Sequence, residues 1–196
     1  NLKNTVVFLG HETGGPVGAA MDCRATGFLV HHDGLGYLIT ARHVALEFGD
    51  SPFWLRLNMR IGGIGDRLYA DQIEWFYHPD ENVDLACVQF HVPSNQGYQC
   101  SYLPSKEMIL DNPHKETALI GTGDLTYTVG LFRLMSGRMR NMPIVHCGNV
   151  AMLPSEELIP VRDWEKRNDK SATRHVEGYL VETHSISGLS GAPVFA

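Results

Sequence analysis

An all-β fold, sandwich or barrel, is predicted by two features of this sequence. Short runs rich in β-branched and aromatic residues recur along it at even spacing, and glycine-rich turn clusters separate them. The first half supplies "NTVVFLG", "ATGFLV", "GYLIT", "FWLRLNM", "IEWFYH" and "DLACVQF". Between them lie "HETGGPVG", "HHDGLG", "IGGIGD" and "HPDEN", each with residues that tolerate turn geometry. A composition shift at "VPSNQGYQCSYLPS" (92–105) reads as a linker between a domain at 1–95 and another at 96–196. Strand-like pieces then resume with "TALIG", "YTVGLFRL", "IVHCGNVAML", "GYLVETH" and "APVF". The stretch 160–178, dense in mixed charge, reads as a solvated loop or short helix.

Composition narrows the function. The 196 residues include 43% hydrophobic and 19% charged side chains, ordinary for a globular protein with a real core. A net charge of −6 argues against nucleic acid as partner, because phosphate binding needs a basic face. No apolar run approaches the roughly 20 residues that cross a bilayer, so no membrane partner is expected. No basic segment followed by an apolar stretch opens the chain, as a secretory signal would. Cys23, Cys87, Cys100 and Cys147 are scattered, without the spacing of a zinc module or a disulfide scaffold. Buried free thiols and a cytoplasmic location are expected, with no cofactor.

Three motifs carry chemistry. "GYLITARHV" runs from a strand into a turn or short helix, with His43 at the change. "HPDENVDLACVQF" sets Asp84 at the start of an apolar strand, just past an Asn-rich turn. "HSISGLSGAP" places Ser190 between glycines. Taken singly, each has a plain structural explanation: a strand-end histidine, a turn-capping carboxylate, a flexible turn. Together they supply what a serine nucleophile needs. Serine requires a neighbouring base, histidine titrates near neutrality, and a carboxylate fixes the imidazole tautomer. A Gly-x-Ser turn can aim two backbone amides at a developing oxyanion.

With these motifs the chain resembles the chymotrypsin-like (trypsin-like) serine peptidases, closest in character to their bacterial branch without disulfides. The likeness runs through Thr26-Gly27-Phe28-Leu29, Leu38-Ile39-Thr40-Ala41-Arg42-His43-Val44, His78-Pro79 and Val83-Asp84-Leu85-Ala86, ending at Gly188-Leu189-Ser190-Gly191-Ala192-Pro193. The resemblance implies two packed antiparallel six-stranded Greek-key barrels with the site between them. It implies His43 as general base, Asp84 as its partner and Ser190 as the acylated nucleophile. The amides of Gly188 and Ser190 would form the oxyanion hole, and His184, Ser185 and Ser187 the substrate pocket. The implied partner is a protein or peptide substrate, with further domains of a longer chain as a second possibility.

Several positions depart from the family pattern. Leu189 stands where zymogen-activated members carry aspartate, so activation through that buried ion pair is not expected. No cysteine follows His43 closely, so the disulfide bracketing the histidine is absent. Six residues follow Ser190, where the family adds two strands and often a helix; the second barrel is expected to be incomplete. His184, at the pocket floor, suggests selectivity for something other than basic residues.

Two other classes of function compete. A degenerate peptidase fold kept as a binding or regulatory module would be expected to show a substituted triad, whereas His43, Asp84 and Ser190 are all present. A metal site at His31, His32 and Asp33 is disfavoured, because neighbouring side chains on a turn rarely converge on one ion. Trp54, Trp75 and Phe76 read as core or inter-strand packing. No metal site is expected.

Overall fold

A computed structural model describes residues 2–12, 21–61, 65–71, 73–108, 120–137, 140–154, 157–163, 166, 169, 171–184 and 186–196. The expected turns at 11–18 and 61–66, and the run 117–121, fall partly or largely outside these residues.

The first half forms one curled sheet. Its strands are β1 (Val6–Glu12), β2 (Met21–His32), β3 (Leu35–Thr40), β4 (Phe53–Met59), β5 (Gly65–Ala70), β6 (Phe76–Tyr77) and β7 (Ala86–Gln89). They pair in the order β5-β4-β1-β2-β3-β7-β6, each neighbour antiparallel. The β2–β3 hairpin turns at Asp33 (φ 47°) and Gly34 (φ 84°). Two successive residues with positive φ match the twist of the flanking strands, and Asp-Gly adopts them at low cost. The His31-His32-Asp33 stretch is therefore a hairpin tip. There Asp33 pairs with Lys106 at 2.7 Å and His32 Nδ1 meets Ser105 Oγ at 2.7 Å.

Residues 92–105, expected as a linker, instead extend this sheet. Strand β8 (Tyr98–Gln99) pairs with β4, and β9 (Leu103–Pro104) runs parallel to β2, with Val30 opposite Leu103. Buried Val92, Tyr98 and Leu103 hold the segment down, and the Tyr102 hydroxyl accepts from the Val92 amide at 2.9 Å.

The second half is smaller. After a short helix α2 (Ser105–Met108), β10 (Leu125–Gly130), β11 (Ile144–Met152), β14 (Leu180–Glu182) and β15 (Val194–Phe195) form an open sheet in the order β14-β11-β10-β15. The stretch read as a solvated loop contributes a separate hairpin, β12 (Ile159–Arg162) with β13 (Thr173–Val176). Its charged side chains hid a strand pair in which half-buried and exposed positions alternate.

Strand β1 explains how the halves join. "VVFL" is apolar at every position, the mark of a strand covered on both faces. Val7 and Leu9 enter the larger core with Leu29, Leu38, Phe53 and Leu55. Val6 and Phe8 point the other way, into a second cluster with Cys23, Val129 and Leu131. Each such side chain contributes about 1.5–3 kcal/mol by leaving water. A polar clasp adds to the seam: the Asn141 amide donates to Asn58 Oδ1 at 2.7 Å, and Asn58 Nδ2 donates back to the Asn141 carbonyl at 3.2 Å. Trp75 is buried and stacks on Phe53 at 5.6 Å, whereas Phe76 is largely exposed, so only the tryptophan of that pair serves the core.

Candidate active site

His43 stands at the second position of α1 (Arg42–Phe48), directly after β3. The helix begins because Val44, Ala45 and Phe48 share one buried face. It ends at Gly49, whose φ of 56° lets its amide return to the Ala45 carbonyl at 2.9 Å. Buried Phe48, packed on Phe53 at 4.8 Å, anchors the helix, so the His43 backbone has little freedom.

Asp84 comes from the 78–85 loop between β6 and β7. Asp80 builds that loop by accepting the Asn82 amide on its side chain (2.8 Å) and the Val83 amide on its carbonyl (3.1 Å). The result is a two-point contact. Asp84 Oδ2 lies 2.7 Å from His43 Nδ1, while Oδ1 accepts the His43 backbone amide at 2.9 Å. A carboxylate has no proton to give, so Nδ1 must carry the hydrogen and Nε2 of the neutral ring keeps its lone pair. Both side chains are partly exposed, 28% each, toward a cleft of about 710 Å³.

That cleft is bordered on its far side by the β12–β13 hairpin and the residues just past its strands, through Val161, Asp163 and Glu177 among others. Arg174 on β13 donates to the Glu81 carbonyl at 2.7 Å, which straps the hairpin to the loop carrying Asp84. The same guanidinium lies 3.8 Å from the buried carboxylate of Asp163. Nothing in the sequence singled out Arg174 or Asp163, because a charge-dense segment looks solvated until its partners are known.

Ser190 is exposed in the turn 186–192 and does not line this cleft. Its main chain is fixed against β2 and the end of β3 all the same. The Ser190 carbonyl accepts the Thr26 amide at 3.0 Å, and Gly191 packs on Thr40, Thr26 and the Ala41 amide. Ala41 lies two residues before His43, so the serine turn rests on the strand-to-helix junction. Gly188 (φ 105°) and Gly191 (φ 80°) adopt backbone angles that other residues reach only with strain. Gly188 is buried against Leu131. Among the described residues, no protein acceptor takes the amide protons of Gly188 or Ser190.

Of the remaining residues singled out in the sequence, His184 and Ser187 are exposed, and neither lines the cleft. Ser187 uses its carbonyl to accept the Arg133 amide at 3.0 Å. Ser185 lies outside the described residues. No three His, Cys, Asp or Glu side chains among the described residues are grouped to hold a metal. No helix among them is long and apolar enough to cross a membrane. A scan against protein-family models finds no match, and a search of curated proteins likewise returns none.

Proposed function

We propose that this chain is a serine endopeptidase of chymotrypsin-like design, its two larger sheets corresponding to two Greek-key barrels of which the second is open. The observation that carries this reading is the two-point grip of Asp84 on His43, with the Ser190 turn packed on the same junction. In the reaction, Ser190 Oγ attacks the carbonyl carbon of the scissile peptide bond as His43 Nε2 takes the hydroxyl proton. Asp84 keeps the resulting imidazolium oriented. The carbonyl oxygen, now negative, is met by the amides of Gly188 and Ser190. Collapse breaks the C–N bond, and His43 gives its proton to the leaving amine. Water, deprotonated by His43, then releases the acyl group and restores Ser190.

His184 and Ser187 are proposed to border the pocket for the side chain preceding the cut, with a preference for residues other than Arg or Lys. A silent binding module would need none of the hydrogen-bond geometry around His43.

The direct test is hydrolysis of p-nitrophenyl acetate and of a denatured protein substrate. The wild-type chain should turn over both, with a burst of one p-nitrophenol per active site, and Ser190→Ala neither. Equal residual rates in the two proteins would overturn the proposal.

A further inference from the structure

We propose that Thr26 is a positioning residue that sets the oxyanion-binding segment of the 186–192 turn, an inference that rests on the peptidase reading. Thr26 lies in the interior of β2 and is fully buried. Its hydroxyl donates to the Gly188 carbonyl at 2.7 Å, and its backbone amide donates to the Ser190 carbonyl at 3.0 Å. One residue therefore holds the carbonyls of both residues whose amides would face the oxyanion.

The direction of the hydroxyl proton follows from its surroundings. The Leu131 amide donates to Thr26 Oγ1 at 2.9 Å, which occupies a lone pair and turns the proton toward Gly188. The Thr26 carbonyl in turn accepts from the buried Thr40 hydroxyl at 2.8 Å, three residues before His43. Thr26 is thus tied at once to the strand leading to the base, to the end of β10 and to the serine turn.

The need for such a tether lies in the turn itself. Gly188 has no side chain to restrict rotation, and at φ 105° its flanking peptides could pivot. Oxyanion stabilisation depends on donors fixed before the reaction, since amides that must reorient lose much of their effect. The Arg133 amide secures the Ser187 carbonyl on one side, and Thr26 secures the Gly188 and Ser190 carbonyls on the other.

Thr26→Val preserves shape and removes the hydroxyl; Thr26→Ser keeps it. Amide hydrogen exchange across 186–192 and the rate of Ser190 labelling by a fluorophosphonate are measured in wild type and both variants. The expected result for Thr26→Val is about 10-fold faster exchange in that segment, with β1–β4 unchanged. Its labelling should be about 10- to 100-fold slower, short of losing an oxyanion donor outright. With p-nitrophenyl acetate the loss should fall on kcat rather than KM, and Thr26→Ser should recover to within about 3-fold.

Wild-type exchange and labelling in Thr26→Val would overturn the role, as would faster exchange with unchanged labelling. If Thr26→Val does not fold, Thr26→Ala, with room for a water beside the Gly188 carbonyl, carries the same readouts. A wild-type protein that is never labelled would sink the peptidase reading and the catalytic role of Thr26 with it. Unchanged exchange beside normal wild-type labelling would sink only the role of Thr26.

Discussion

Asp84 holds His43 by both its ring and its backbone, through Oδ2 to Nδ1 at 2.7 Å and Oδ1 to the amide at 2.9 Å. The two bonds separate orientation from chemistry. In Asp84→Asn, the amide oxygen still accepts the His43 backbone N–H, so the helix start should remain in place. The amide nitrogen, now a donor facing Nδ1, drives the ring to the opposite tautomer, with hydrogen on Nε2. Ester hydrolysis at neutral pH should fall by about 10³- to 10⁴-fold, while thermal unfolding changes little. A loss below about 10-fold would show that the carboxylate does not serve the base.

Gly191 and Gly34 have nearly the same backbone angle, φ 80° and 84°, in very different surroundings. A Cβ on Gly34 would meet nothing within 4 Å, whereas on Gly191 it would collide with Thr40 Oγ1 and the Thr26 carbonyl. Gly34→Ala should therefore cost only the strain of positive φ, about 1–2 kcal/mol. Gly191→Ala adds a clash and should lose roughly 2–5 kcal/mol, together with reactivity at Ser190. Chemical denaturation of the two variants checks the ranking, which equal losses would contradict.

Arg174 straps the β12–β13 hairpin to the loop that delivers Asp84. Arg174→Met keeps the aliphatic stem and removes the donor to the Glu81 carbonyl. The hairpin wall of the cleft should loosen, raising KM for peptide substrates by about 3- to 10-fold. A small ester that never reaches the wall should be hydrolysed as before. Comparing the two substrates checks this, and a parallel loss on both would place Arg174 with the chemistry instead.

The four cysteines are free thiols with graded exposure, from buried Cys23 to exposed Cys147. Burial pushes the Cys23, Cys87 and Cys100 thiols up, opposed at Cys23 by the Arg56 guanidinium. Because the thiolate is the reactive form, iodoacetamide at neutral pH should modify Cys147 first and Cys23 last, as peptide mass mapping would show. The raised values also set a sign for stability. Folding holds these protons more tightly than the unfolded chain does, so the contribution is intact below the ordinary thiol range. It is lost as pH rises through the folded values. Denaturation midpoints should fall at alkaline pH, and less so after substitution of Cys23 by Ala.

Much of this arrangement was legible from residue order, and the rest was hidden for physical reasons. The run "NTVVFLG" announced a strand, though not that both its faces are covered, and "GYLITARHV" announced a strand ending in a turn or short helix at His43, which is α1. The turn residues before "DLACVQF" put Asp84 at the start of a strand, whereas pairing begins only at Ala86 and leaves Asp84 in the loop. Strands β8 and β9 could not be read, since two-residue strands leave no periodicity and their pairing partners are distant in sequence. Thr26 looked like one more strand residue. A buried hydroxyl announces itself only when its partners, here Gly188 and Leu131, are known in space. The β12–β13 hairpin was masked by charge, because long polar side chains can cover a cleft with their stems while their heads stay wet.

Activation of Ser190 by His43 is open to a covalent labelling experiment. The wild-type chain, His43→Ala and Ser190→Ala are exposed to a fluorophosphonate, and the adduct is located by peptide mass spectrometry. One covalent phosphonyl group is expected on Ser190 of the wild type, formed at least about 10³-fold more slowly in His43→Ala and absent from Ser190→Ala. An unlabelled wild type, or labelling at Ser190 that proceeds equally fast without His43, would contradict it.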